Sequence, residues 1–189
     1  PGRRRTGRTA NRADAGPGGA GSTRRTAGAS QRTAAGDRQR PSGFPLLVMT
    51  RIDFHYDLPD KIAYCCRLAR KAYGMGARLV VVVPDRAQLE ALDRAMWTFS
   101  DQDFIPHVPL SDPLAATTPI VLSERGDAEF PHHDVLVNLA PETPALFARF
   151  ERLIELIGTD EADRAAGRER YRHYRQRGYP IENRRRGQA

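Results

Sequence analysis

The sequence predicts an α/β fold built as a single domain, and three observations support that class. A run of β-branched residues at 79–83, LVVVV, is apolar on both faces, as expected for a central parallel strand that is covered on each side. Segments of helical periodicity alternate with strand-like segments along the chain. Their order, β-α-β-α-β-β-α-α, favours a mostly parallel sheet flanked by helices, since parallel strands need crossover connections. The predicted architecture is therefore Rossmann-like.

Two strands and two helices are predicted in the first part of this domain. The segment 51–56, RIDFHY, alternates apolar and polar residues and predicts the strand that precedes the run at 79–83. Between them, residues 60–73 have apolar side chains at helical spacing. A second helix begins after Asp85, whose side chain is suited to capping, and it ends at Trp97.

Two short buried strands and two further helices are predicted in the second part. After an irregular connection at 98–118, the strands lie at 119–122 and 135–139, and the helices lie at 144–157 and 160–177. The helix at 144–157 is predicted because large apolar residues recur in it at spacings of three and four.

The first 48 residues form a basic extension of different composition. They contain ten arginines and two aspartates, a net charge of +8, whereas the remaining residues have twenty basic and twenty-one acidic side chains, a net charge of −1. The extension lacks the apolar surface that ordering requires, so we predict that it is disordered. It is either a nucleic-acid-binding arm or a translated upstream region, and the change of composition at Met49 favours the second interpretation. The folded domain is predicted to span 49–186.

No segment of the sequence predicts a membrane partner. The short apolar patch at 44–49 is far below the length that spans a bilayer. Cys65 and Cys66 are adjacent within a helical pattern, and such neighbours cannot form an ordinary disulfide. They are expected to be small core residues of a reduced, cytoplasmic protein.

Nucleotide, metal and catalytic sites are not predicted. Gly74 and Gly76 end a helix and precede a strand, whereas a dinucleotide-binding loop has its glycines after a strand and before a helix. The segment 132–134, HHD, lacks a third ligand at a recognised spacing, so we expect no metal site. No cofactor and no catalytic residue are expected either. An enzyme would require His107 or His132 to converge with a carboxylate in a pocket.

The C-terminal segment predicts a binding surface instead. Five residues recur at helical spacing and fall on one side of the last predicted helix: Arg164, Arg168, Tyr171, Arg172 and Arg175. A run of charge is often only a solvated helix face, but arginine binds carboxylate or phosphate bidentately and a tyrosine ring packs against apolar groups. Trp97, the only tryptophan, ends a helix at an irregular loop and is a candidate pocket wall. The pattern indicates an acidic, partly apolar partner.

Three separated motifs resemble the chi subunit of bacterial DNA polymerase III. They are AMW at 95–97, FIPH at 104–107 and RERYRHYR at 168–175, and they occur in the family's order with similar gaps. The resemblance runs from Met49 to about Asn183. It implies a Rossmann-like fold that holds no nucleotide. It also implies that the protein is a subunit of a DNA-directed DNA polymerase (nucleotidyltransferase) complex and that this subunit is not an enzyme by itself. The family links the clamp loader, through the psi subunit, to the acidic C-terminal tail of single-stranded DNA-binding protein, and so acts on DNA indirectly.

The resemblance also assigns binding residues. The partner's tail ends in several aspartates followed by an apolar tip with a terminal phenylalanine carboxylate. The implied tail-binding residues are Arg164, Arg168, Tyr171 and Arg172, with Trp97 in the apolar wall of the pocket and Phe104 behind it. The psi subunit is expected on the sheet edge and loops away from the last helix, and the protein is expected in the bacterial cytoplasm. The alternative is a nucleic-acid-binding protein that uses the same arginines on phosphate groups.

Overall fold

The structure, a computed structural model, describes residues 49–100 and 104–185. The predicted extension at 1–48 lies outside the described residues. The described strands are β1 (Arg51–Leu58), β2 (Leu79–Val82), β3 (His107–Pro109), β4 (Ile120–Ser123), β5 (Val135–Asn138), β6 (Arg152–Gly158) and β7 (Ile181–Arg185). The helices are α1 (Lys61–Gly74), α2 (Arg86–Thr98) and α3 (Glu161–Gln176), with a 3-10 turn at Phe147–Arg149.

All seven strands pair in parallel in one sheet, in the order β3-β4-β2-β5-β6-β1-β7. Helices α1 and α2 pack together and contact one face of this sheet, whereas α3 packs on β6. The predicted α/β, Rossmann-like class with a mostly parallel sheet is therefore confirmed. None of the helices in the described part of the chain is long and apolar enough to cross a membrane.

The central strand β2 separates two hydrophobic cores. Val81 belongs to the core beneath α1 and α2, together with Leu92, whereas Val80 belongs to the core beneath α3, together with Tyr174. Successive side chains of a strand point to opposite faces of a sheet, so a strand buried on both sides must be apolar throughout. The LVVVV run met this requirement, and its assignment to a central strand is confirmed.

Each α-helix begins where the sequence offers an aspartate as an N-cap. Asp60, Asp85 and Asp160 each accept a hydrogen bond from a backbone N–H three residues on, at 2.9, 2.8 and 2.9 Å. Such caps satisfy donors that lack a partner in the first turn. The three helices predicted to begin at these positions are confirmed.

The helix predicted at 144–157 is wrong. The chain forms the 3-10 turn and then β6, which lies between β5 and β1 and is buried along almost its whole length. A strand covered on both faces has apolar residues at every spacing, including the spacings of three and four that suggest a helix. Glu155 also fits the polar side of a helix, but it is completely buried and paired with Arg170.

Strands β3 and β7 were not predicted. They form the two edges of the sheet, and β7 has the sequence IENRR, with one apolar residue in five. Its pairing with β1 is supported by side chains, including the ion pair between Arg51 and Glu182 at 2.9 Å. An edge strand has solvent along one side, so its polar sequence gives little sign of strand structure.

Candidate peptide-binding site on the last helix

Helix α3 lies unusually close to the sheet at Gly167. A Cβ atom at this position would lie 2.7 Å from Cδ1 of Ile157 on β6. The missing side chain therefore allows the helix backbone to approach the strand. This contact places the exposed side of α3 beside the ends of β1 and β7.

A buried polar network holds the side of α3 that faces the sheet. The Glu155 carboxylate accepts hydrogen bonds from Arg170 Nε at 2.8 Å, from the Tyr174 hydroxyl at 2.6 Å and from Asn138 Nδ2 at 3.1 Å. Arg170 Nη1 also donates to the carbonyl of Pro141 at 2.6 Å. Burial raises the pKa of Glu155, and the neighbouring Arg170 opposes that rise. The network orients the helix, because each donor has a directional partner on the sheet or the loop after β5.

The cleft between α3 and the sheet has an apolar floor. Its volume is about 240 Å³, and its lining residues are Phe54, Tyr56, Asp57, Ile157, Arg164, Gly167, Arg168, Tyr171 and Asn183. The Tyr171 ring meets the Phe54 ring edge-on, with centroids 5.2 Å apart and an interplanar angle of 68°. The half-buried tyrosine thus presents a ring to the cleft while its position is fixed by a core residue.

Two arginines form the rim of this cleft. Arg164 Nη2 lies 3.0 Å from Asp57 Oδ1, and Arg168 Nη2 lies 2.6 Å from Glu161 Oε1. The hydrogen bond from Arg168 lowers the pKa of Glu161. Both guanidinium groups keep substantial solvent access, with side-chain exposures of 42% and 59%. A carboxylate from a partner can therefore reach them above the apolar floor.

The structure brings together three of the residues that the sequence singled out, namely Arg164, Arg168 and Tyr171. Sequence reasoning missed the sheet side of the cleft. Phe54 and Tyr56 have the same parity on β1, so the alternation of that strand could have placed them on one face. Nothing in a single sequence shows which helix covers that face.

Arg172 and Arg175 lie outside the cleft. Arg172 pairs with Glu169 and lines a separate cleft of about 510 Å³ formed with the loop after β5. Arg175 is exposed, and its guanidinium meets no carboxylate within the described residues. The predicted inclusion of Arg172 in the pocket is not met, since Arg172 does not line the cleft that Arg164, Arg168 and Tyr171 share.

Trp97 and Phe104 also lie elsewhere. Their rings contact each other at 5.4 Å, and Trp97 contacts His107 of the edge strand β3 at 5.3 Å. Strand β3 is five positions from β1 in the sheet, about 24 Å at the usual strand spacing. Helix α2 packs over the core opposite to that of α3. The prediction that Trp97 walls the arginine pocket, with Phe104 behind it, is therefore wrong in its geometry.

The histidines make local structural contacts. His132 lies between the carbonyl of Thr118 at 2.7 Å and Arg78 at 3.4 Å. His107 donates from Nδ1 to the carbonyl of Ile105 at 2.6 Å, and its Nε2 lies 3.4 Å from Asp93. Within residues 49–100 and 104–185, no group of three or more histidine, cysteine or acidic side chains could hold a metal ion.

Comparison with known proteins identifies the family. The sequence model of "DNA polymerase III chi subunit, HolC" matches residues 49–182. The subunit named DNA polymerase III subunit chi from Pseudomonas aeruginosa is 36% identical over 141 residues, which cover 72% of this chain and 97% of that protein. The subunits of the same name from Haemophilus influenzae and Escherichia coli are 28% and 22% identical, each over 61% of this chain and over 81% and 79% of their own lengths. The chain belongs to the DNA polymerase III chi subunit family.

Proposed function

We propose that this protein is a non-catalytic accessory subunit of bacterial DNA polymerase III. In the bacterial cytoplasm it binds the acidic C-terminal tail of single-stranded DNA-binding protein in the α3 cleft. It links that tail, through the psi subunit, to the clamp loader. It therefore acts on DNA indirectly.

The observation that carries this proposal is the combination of an apolar floor and a cationic rim in one small cleft. The volume of about 240 Å³ is below the range of roughly 300–1,000 Å³ that ligand and cofactor pockets occupy. It suits a single aromatic side chain, which the Tyr171 and Phe54 rings and Ile157 can surround. Arg164 and Arg168 stand where the terminal carboxylate of such a residue would need donors.

The remaining arginines fit the rest of the tail. Arg175 follows Arg168 and Tyr171 on the same side of the helix, and Arg172 lies one turn beyond Arg168. Outside the cleft they can contact the aspartates that precede the tip, and not the tip itself. These groups are exposed, so their contribution to affinity falls as the ionic strength rises.

Fluorescence anisotropy of a labelled peptide tests the proposal. The peptide carries several aspartates and ends in an apolar tip with a C-terminal phenylalanine, and it is titrated with the full chain at low salt. A matched peptide that lacks only the phenylalanine measures attraction to the basic extension. We expect the complete peptide to bind at least ten-fold more tightly. Equal binding of the two peptides would contradict the proposal.

Direct binding of nucleic acid is an outcome of the same experiment. The same arginines could contact phosphate groups, but the residues from 49 onward have a net charge of −1, and both arginines of the cleft already pair with carboxylates. A single-stranded oligonucleotide can displace the peptide only if it uses the same site. If it does displace the peptide, and Arg168→Ala and Tyr171→Ala weaken oligonucleotide binding as much as they weaken peptide binding, the protein is a nucleic-acid-binding protein instead.

A second surface supports the psi contact. Trp97 and Phe104 are 59% and 63% exposed, and they contact each other at the β3 edge of the sheet. Adjacent exposed aromatic rings are typical of the centre of a protein interface. We therefore propose that psi docks at this edge. Phe104→Ala is expected to abolish capture of a co-expressed psi subunit and to leave tail binding intact. Met75→Ala, which alters an exposed residue after α1, is the matched control.

A further inference from the structure

Asp57 occupies the rim of the α3 cleft in an uncommon backbone conformation. Its φ angle is +60°, and it is the only non-glycine residue with a positive φ in the described part of the chain. The pairing of β1 with β6 is irregular between His55 and Leu58, so the strand bulges at this position. The bulge directs the Asp57 carboxylate towards the arginines of the cleft.

Two arginines from different elements share this carboxylate. Arg164 Nη2 of α3 lies 3.0 Å from Oδ1, and Arg185 Nε of β7 lies 3.1 Å from Oδ2. Ile181, Asn183 and Arg185 have the same parity on β7, and Asn183 lines the cleft. Arg185 therefore extends the same face and places a cation on the strand side of the cleft, opposite the helix arginines.

Building on the proposed function, we propose that Asp57 is an internal counter-ion for the tail site and that Arg185 is a further tail-binding residue. In the free protein the Asp57 carboxylate occupies a position between Arg164 and Arg185 that an anionic ligand group would use. When the tail binds, one of its carboxylates replaces the Asp57 carboxylate at both guanidinium groups. Asp57 thereby limits the affinity of the site and favours ligands with several negative charges.

The charges around Asp57 determine whether its removal strengthens or weakens binding. Asp57 and the two arginines are partly exposed, and ion pairs of this kind contribute little to holding side chains in place. In the complex, however, the negative charge of Asp57 lies beside the bound carboxylates of the tail and repels them. Neutralising Asp57 is therefore expected to strengthen binding, because it removes repulsion and releases two cations.

The substitution Asp57→Asn is a nearly isosteric test. Asparagine keeps the shape of the side chain and is among the residues that tolerate the left-handed conformation. We expect the peptide of the anisotropy assay to bind the full-length variant about five-fold more tightly at low salt. Glu182→Gln is the charge-matched control, since Glu182 pairs with Arg51 and Arg184 and does not line the cleft. It is expected to change affinity less than two-fold.

Arg185→Gln provides an independent arm. It is expected to weaken binding about three-fold, with the melting temperature unchanged. Unchanged or weaker binding by Asp57→Asn, an equal gain in Glu182→Gln, or unchanged binding by Arg185→Gln would overturn this inference while the wild-type chain still binds the peptide. Absence of specific binding by the wild-type chain would instead overturn the proposed function.

Discussion

The two aromatic regions of this protein differ in what surrounds their rings. In the α3 cleft, Tyr171 is half-buried against Phe54 and stands between arginines. At the β3 edge, Trp97 and Phe104 are mostly exposed and contact each other, and Trp97 also contacts the buried His107. They lie over opposite faces of the sheet, at opposite edges. The first region suits an anionic chain end, and the second suits an apolar protein surface. Two partners could therefore bind at the same time without overlap, as the proposed bridging role requires.

The largest expected effect concerns the support of the α3 region. Arg170→Met leaves the Glu155 carboxylate buried without a cation, which should lower the free energy of unfolding by about 3 kcal/mol. Urea denaturation with an unchanged m value measures this loss. Arg172→Met alters an exposed ion pair on the same helix and should cost less than about 0.5 kcal/mol. Equal losses in the two variants would show that the buried network does not hold α3.

The next effect concerns β1, whose two faces serve different cores. Burial lowers the pKa of His55 from 6.5 to about 4 in the folded protein, so the unfolded chain binds a proton more readily between these values. The free energy of unfolding should therefore fall as the pH falls from 6.5 to 4, by roughly 2 kcal/mol after allowance for partial solvent screening. His55→Leu should flatten most of this slope. Burial also lowers the pKa of His173, but this residue on α3 is less buried than His55, so His173→Gln should flatten the slope less. A slope that is identical in His55→Leu would contradict the assignment.

A third effect separates the regions by ligand. Tyr171→Ala removes the ring that covers the cleft floor and should weaken tail binding at least ten-fold, about 1.4 kcal/mol. Trp97→Ala should leave tail binding within two-fold, since Trp97 lies over the other face of the sheet. Isothermal titration calorimetry with the same peptide compares them, and circular dichroism checks that both variants are folded. A larger loss in Trp97→Ala would join the two regions into one site.

The smallest effect lies within α3. Arg168→Ala should weaken tail binding about five-fold at low salt, whereas Arg172→Ala, which pairs outside the cleft, should weaken it less than two-fold. The two losses should converge as the salt concentration rises, because both groups are exposed. A reversed ranking would place the peptide on the other side of the helix.

Much of the α3 region followed from the sequence, because its signals are local. An aspartate cap, arginines at helical spacing and a terminal glycine all act within one helix, and Gly178 has a φ of +77° at its end. Strand β6 was misassigned because a strand buried on both faces does not alternate apolar and polar residues. The charged Glu155 also made the segment resemble an amphipathic helix. Trp97 was misplaced for another reason. Which face a helix covers depends on the strand order, and that order is set by long-range pairing which no short pattern contains.

The position of the tail site relative to Trp97 can be measured directly, because Trp97 is the only tryptophan in the chain. An unlabelled acidic peptide ending in phenylalanine is titrated into the full-length protein, while calorimetry reports binding and tryptophan emission reports the β3 edge. We predict saturable binding with no change in the emission maximum. A shift of that maximum with the same midpoint as the binding curve would contradict the assignment of the tail to the α3 cleft.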